Sequence, residues 1–102
     1  MKVVAQLKFS ALALEDLLEI ARFIARNNPS RARSFVNELR QLCLSLSQQP
    51  GLGVARTDLS KGLRALPYER YLIFFSVIDS DILVERVLHS ARNLPSLFAA
   101  SN

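Results

Sequence analysis

Cysteine, histidine, glycine and tryptophan are scarce in this chain of 102 residues. It has one cysteine, Cys43, one histidine, His89, three glycines and no tryptophan. A single cysteine excludes an intramolecular disulfide, and no set of cysteines and histidines stands at metal-ligand spacing, so we expect no metal site and no cofactor. Cys43 is expected in the core, where a free cysteine packs as a small hydrophobe. This cysteine usage suits a reducing compartment, and we predict a cytoplasmic protein.

Long apolar runs are missing as well. No stretch approaches the roughly 18 consecutive apolar residues of a membrane span. Gln6, Lys8 and Ser10 also interrupt the N-terminal segment where a secretory signal needs an unbroken apolar core. With 50% apolar and 22% charged residues, the chain does not have the composition of a disordered protein. The sequence predicts a soluble protein with a single domain over residues 1–102 and no membrane association.

Negative charge is in short supply relative to positive charge. Thirteen Lys and Arg residues face nine Asp and Glu residues, which gives a formal net charge of +4, and the isoelectric point is about 9.8. Only Lys2, Lys8 and Lys61 are lysines, so ten of the thirteen cations are arginines. Arginine binds carboxylates and phosphates in bidentate fashion. The charge therefore favours an acidic protein partner or nucleic acid without choosing between them.

The first half of the chain has the patterns of one strand followed by two helices. Residues 3–9 alternate apolar and polar side chains, which predicts a half-buried strand. Ser10 is the predicted N-cap of a first helix, and Asn28 followed by Pro29 is the expected start of a second. Because only two or three residues separate the helices, residues 11–49 are predicted to form an antiparallel hairpin whose apolar stripes face one sheet.

The second half is predicted to contain a loop and three strands. Residues 71–78 are rich in β-branched and aromatic side chains at both odd and even positions, as in a central strand that is covered on both faces. The tail from about residue 93 is expected either to be flexible or to dock through Leu97 and Phe98. The remaining predictions are a loop over residues 51–62, a short strand over residues 63–66 stopped by Pro67, a turn at residues 79–81 and a strand over residues 82–89.

The order β-α-α-β-β-β predicts an α+β domain. A helical hairpin would pack on one face of a mainly antiparallel sheet. The other face would then be left open, and contiguous exposed apolar surface on a small soluble protein usually marks an interaction site. The sequence thus predicts a partner for the uncovered face.

Five sequence segments, in this order and spacing, resemble the RelE/ParE toxin superfamily, and its ParE-like branch in particular. The segments are FSALALEDLLEIARFIARNNPSRA, QQPGLG, GLRALP, RYLIFFSV and RVLHSARN. The sequence departs from the family pattern at three positions. Ala11 stands where a proline is frequent, Phe75 where a tyrosine is frequent, and Asn93 where an aspartate often follows the arginine.

The resemblance implies the toxin of a type II toxin-antitoxin system, of the kind that stabilises plasmids and inhibits growth. A cognate antitoxin, ParD-like with an acidic C-terminal segment, would wrap it in a hetero-oligomer. ParE-like members inhibit DNA gyrase by protein binding and are not enzymes. RelE-like members are metal-independent mRNA interferases that cut messages on the ribosome. An inactive relative that survives as a binding partner is a third possibility.

The ribonuclease alternative has a candidate catalytic set of Glu69, His89, Arg64 and Arg86. Metal-free RNA cleavage needs an acid, a base and cations on the phosphate. His89 is equally expected to cap its strand or to bond the tail. The two arginines either converge on the open sheet face or form ion pairs with carboxylates such as Glu69 or Glu85. Because the central strand carries no charge, the sequence favours the non-enzymatic hypothesis.

Four arginines surround the predicted hairpin turn, and no acidic residue occurs from Ala21 through Asn37. This tip is either a solvated basic surface or a contact for antitoxin, gyrase or its DNA. The antitoxin is expected on the open sheet face, on the hairpin flank and along a sheet edge. The contact candidates are Arg22, Arg26, Arg31, Arg33, Arg64, Arg70, Arg86, His89 and Arg92.

Overall fold

The computed structural model describes residues 6–49 and 51–99. The elements are β1 (Leu7–Phe9), α1 (Ala11–Ala25), α2 (Pro29–Leu46), β2 (Val54–Ala55), β3 (Arg64–Tyr68), β4 (Tyr71–Ile78), β5 (Asp81–His89) and α3 (Leu94–Ala99). This order confirms the predicted α+β class and the helical hairpin, and it adds β2 and α3. The part of the predicted first strand over residues 3–5 lies outside the described residues.

The two long helices begin where the sequence predicts. The Ser10 hydroxyl accepts a hydrogen bond from the Ala13 amide at 3.0 Å, and the Asn28 side chain accepts one from the Arg31 amide at 3.0 Å. Each contact satisfies one of the amides that a helix start leaves without an intrahelical partner. Pro29 occupies the first position of α2, where its missing amide costs nothing. The short connection then turns α2 back along α1.

The five strands form one sheet in the order β1-β5-β4-β3-β2. Within the described ranges only the β1–β5 pair is parallel, so the sheet is mainly antiparallel as predicted. Asp79 and Ser80 join β4 to β5 with φ of 50° and 73°. Two residues with positive φ make the tight turn whose twist matches that of the strands. The predicted turn is one residue too long, because Asp81 already pairs with Ile78.

The strand around Pro67 is longer than predicted. Pro67 lies inside β3 and opposite Leu72 of β4. The two-residue strand β2 pairs only with Arg64 and Ala65, so it does not extend alongside Pro67. A proline is tolerated on such an edge because no ladder donor is required there. The residues of β2 were expected to be part of a loop.

The main core lies between the helical hairpin and the sheet. It is built from buried apolar residues of both layers, namely Ala13, Ile20, Phe35, Leu39, Cys43, Ile73, Val84 and Val87. Cys43 is 1% exposed, which confirms its predicted place in the core. Burial raises the pKa of its thiol to about 11, so the sulfur stays protonated and unreactive at neutral pH.

The prediction of an uncovered second sheet face is wrong where α3 packs on that face. Phe98 of α3 is 6% exposed, and its ring lies 4.9 Å from the ring of Phe74. Leu63, Leu88 and Leu94 complete this smaller cluster. The tail therefore docks rather than leaving the face open. Ile78, which shares the Phe74 face by strand alternation, is 53% exposed near the β4–β5 turn.

Two kinds of feature are absent from the described part of the chain. No helix there is both long enough and apolar enough to cross a bilayer. No three side chains of the types that bind metal ions gather at one place within residues 6–49 and 51–99.

Candidate functional site

The outer surface of the helical hairpin carries a groove of about 500 Å³. Its floor is made of small side chains, among them Ala21, Ala25 and Ala32, because these leave space between the two helices. Arg22 and Arg33 lie at its sides. On α1, Leu14 and Leu18 are 56% and 51% exposed. Their spacing places them in one row with Ala21, which extends the apolar surface beyond the groove.

The arginines at the hairpin tip differ in their surroundings. Among the described residues, Arg22, Arg26 and Arg33 have no carboxylate within ion-pair distance. The Arg26 guanidinium lies 5.8 Å from the ring centroid of Phe23, which is 61% exposed. Three of the four predicted tip cations are therefore available to a partner.

Arg31, the fourth, is bound within the protein. Its guanidinium donates to a Glu38 oxygen at 2.8 Å and to a Glu69 oxygen at 2.7 Å, and it lies over the Phe35 ring at 5.2 Å. The Tyr68 hydroxyl donates to the other Glu38 oxygen. Arg31 and then Tyr68 lower the pKa of Glu38, and the Glu38 carboxylate raises the pKa of Tyr68. This network ties α2 to the β3–β4 turn.

The network gives Glu69 a structural role. Glu69 has a φ of 53°, which is an uncommon conformation for a residue with a side chain. Its carboxylate holds Arg31 instead of standing free to take a proton from a substrate. The sequence left open an ion pair of Arg64 or Arg86 with Glu69. Glu69 pairs with Arg31 instead.

Arg64 fastens the loop after α2 to the sheet. Its Nη2 donates to the carbonyl oxygens of Gly51 at 3.1 Å and Gly53 at 2.9 Å. Gly53 has a φ of +85°, and a Cβ there would lie 2.6 Å from the Ala65 carbonyl oxygen. Only glycine permits this close approach. Arg64 therefore serves the fold of this loop.

Arg86 forms a largely buried ion pair with Asp16 of α1. Its Nε and Nη2 donate to the two Asp16 oxygens at 2.8 and 3.0 Å, and this pairing raises the pKa of Arg86. The Val87 amide also donates to Asp16 at 3.0 Å. Because β1 ends at Phe9, Asp16 accepts the ladder hydrogen bond that a longer β1 would have taken.

The structure does not bring Arg64 and Arg86 together, although their convergence was one of the two alternatives that the sequence left open. Their strands, β3 and β5, are separated by β4. Arg64 lies opposite Phe75 and Arg86 lies opposite Phe74. The pairing of β4 with β5 shifts register between Phe74 and Phe75, and the two side chains bind different partners. Arg64 binds the carbonyl groups of the loop after α2, and Arg86 binds a carboxylate of α1.

Sequence reasoning missed Asp16, although a signal for it was present. Asp16 is 5% exposed. It stands three residues after Ala13 and four before Ile20, within the apolar stripe of α1. A lone carboxylate at such a position requires a buried partner. No comparable signal pointed to the carbonyl groups that Arg64 binds.

His89 bonds the tail, one of the uses that the sequence left open. Its Nδ1 accepts a hydrogen bond from the Ala91 amide at 3.1 Å, which leaves the proton of the neutral ring on Nε2. The ring packs edge-on against Tyr71 with 5.3 Å between centroids. Arg70 and Arg92 are exposed. Both lie near His89, because the Ser90 amide donates to the Arg70 carbonyl at 2.9 Å and the Arg92 amide donates to the His89 carbonyl at 3.0 Å.

The family model for the ParE toxin of type II toxin-antitoxin systems, parDE, matches residues 7–94. The chain belongs to this ParE toxin family. It is therefore the toxin of a type II system, and the ParE-like hypothesis is preferred over the RelE-like one. Toxin ParE3 of Caulobacter vibrioides is 29% identical to the chain over 80 residues, which is 78% of this chain and 80% of that protein.

Solved toxin structures share the fold of this ParE-family chain. A chain of the chromosomal ParDE system from P. aeruginosa superimposes with a TM-score of 0.72 at 24% identity, over 84% of this chain and 96% of that one. A chain of the RelBE2 toxin-antitoxin complex from Mycobacterium tuberculosis gives 0.63 at 21% identity, over 85% and 99%. The α+β architecture is thus common to ParE-like and RelE-like structures.

Proposed function

We propose that this toxin inhibits DNA gyrase by binding it, without catalysing a reaction. Membership of the ParE family supports gyrase as the target. The absence of catalysis is supported by one observation: most of the candidate catalytic side chains are already bound to other groups of the protein. Glu69 is bound to Arg31, Arg64 to two carbonyl groups and Arg86 to Asp16. Only His89 is left of the candidate ribonuclease set.

The second part of the proposal is a cognate antitoxin that covers the hairpin groove in a hetero-oligomer. The structures with the same fold include toxin-antitoxin complexes. The groove offers an apolar floor between Arg22 and Arg33, which suits an amphipathic segment with apolar residues on one side and carboxylates at its margins. Arg26, Arg70 and Arg92 remain candidate contacts for target or antitoxin and His89 for the antitoxin alone, while Arg31, Arg64 and Arg86 are proposed to serve the fold.

Induction of the toxin in bacterial cells separates the two mechanisms. We expect growth arrest with activation of a DNA-damage reporter, relief of both by co-expressed antitoxin, and no new 5′ ends on translated messages in primer extension. His89→Ala is the matched variant, because a toxin that binds gyrase keeps its toxicity without this imidazole. New 5′ ends that disappear in His89→Ala would instead establish the ribonuclease.

A further inference from the structure

A cleft crosses the end of the sheet at which β3, β4 and β5 meet the C-terminal half of α1. It consists of two hollows of about 240 Å³ each, and Tyr71 lines both of them. Ile20 and Phe23 of α1 line one hollow together with His89, and Ile24 lines the other. We call these two hollows the strand-end cleft.

The hollows have the size and lining expected for side chains. Each is smaller than the volumes of about 300 Å³ and above that are typical of small-molecule sites. Their walls are largely apolar and aromatic, and Phe23 at the margin is 61% exposed. Two adjacent apolar hollows separated by one ring suit two neighbouring apolar side chains of one peptide.

Unpaired cations stand in both hollows. Arg70 lines one and Arg92 the other, and neither has a carboxylate within ion-pair distance among the described residues. Arg31, which also lines the cleft, is already neutralised by Glu38 and Glu69. Two exposed guanidinium groups favour carboxylates in the ligand.

The acidic side chains of the cleft distinguish a peptide from a nucleic acid. Glu19 and Asp16 lie in the wall of the hollow that contains Arg92, and Glu69 lies in the wall of the other. Asp16 is already paired with Arg86. A phosphate backbone carries a charge at every nucleotide and would meet these carboxylates along its path. A peptide can place its carboxylates beside Arg70 and Arg92 alone.

We propose that the strand-end cleft binds an extended acidic peptide segment of a protein partner. The segment inserts two large apolar side chains, one on either side of Tyr71, and pairs its carboxylates with Arg70 and Arg92. This site is distinct from the hairpin groove on the outer side of the helices and does not require gyrase as the target.

Selection from a displayed library of random twelve-residue peptides tests the proposal. The full chain is the bait, and the Arg70→Glu, Arg92→Glu double variant is the counter-selection. Selected peptides should share two large apolar residues flanked by Asp or Glu. In fluorescence anisotropy, a synthetic selected peptide should bind at least tenfold more weakly to Arg92→Glu and to Phe23→Ser, both of which change exposed side chains. Arg40→Glu makes the same charge change on the exposed side of α2 and should bind normally.

Three results would overturn the proposal. They are the failure of the library to enrich any peptide, peptide binding that is unaffected by Arg70→Glu and Arg92→Glu, and tighter binding of a twelve-nucleotide single-stranded DNA through the same arginines. Supercoiling by gyrase is measured on the same samples. Absence of peptide binding by the wild-type chain together with intact gyrase inhibition contradicts the cleft alone. Peptide binding by the wild-type chain without any inhibition of gyrase contradicts the gyrase proposal alone.

Discussion

At the residue scale, Asp16 joins three parts of the molecule. It lies on α1, accepts two hydrogen bonds from the Arg86 side chain, and accepts a third from the Val87 amide. Its side chain is 6% exposed and that of Arg86 is 15% exposed. A charge buried to this extent needs its counter-charge, because water reaches only a small part of either side chain.

Asp16→Asn is expected to destabilise the protein strongly. The asparagine keeps an acceptor for the Val87 amide but leaves Arg86 without a counter-charge. Removal of one partner of a buried ion pair costs about 3–5 kcal/mol, and retention of the acceptor should place this variant near the lower end. Urea unfolding followed by circular dichroism measures the change. Glu15→Gln is the control, since Glu15 is exposed and has no ion pair among the described residues. Equal unfolding free energies for the two variants would contradict the role given to Asp16.

At the scale of elements, the long amphipathic segments were predictable and the short ones were not. The hairpin of α1 and α2 followed from caps and apolar spacing, and β4 from a run of β-branched and aromatic residues. β2 has two residues and α3 has six, which is too short for a periodic pattern to emerge. Both depend on tertiary contacts: β2 on pairing with Arg64 and Ala65, and α3 on the packing of Phe98 against Phe74.

Phe98→Ala tests whether α3 is an integral part of the fold. Truncation should uncover Phe74 and its neighbours on the second sheet face, because Phe98 is the side chain of α3 that contacts the Phe74 ring. Phe-to-Ala changes in cores cost about 3–5 kcal/mol, and on a short terminal helix that can readjust we expect about 1–3 kcal/mol. Chemical unfolding measures this loss. Ser96→Ala, an exposed position on the same helix, is the control. If the two variants are equally stable, the described docking of α3 does not contribute to the fold.

At the scale of the whole molecule, the fold determines which arginines bind other groups of the protein and which stay available to a partner. The sequence showed an arginine-rich chain with a net charge of +4 but could not tell which arginines have partners. The fold brings Arg31, Arg64 and Arg86 to carboxylates or carbonyl groups from distant parts of the chain. Arg22, Arg26, Arg33, Arg70 and Arg92 stay exposed. The latter set surrounds the hairpin groove and the strand-end cleft, where it is available to the protein partners proposed above.

The central claim is that the toxin acts on gyrase by binding alone. Its most direct test is a titration of purified bacterial DNA gyrase supercoiling relaxed plasmid, with wild-type toxin and with His89→Ala as the matched variant. We expect both proteins to inhibit supercoiling to the same extent at the same concentration, and the antitoxin to restore it. Supercoiling and cleavage-complex levels that remain unchanged at saturating wild-type toxin would contradict the claim.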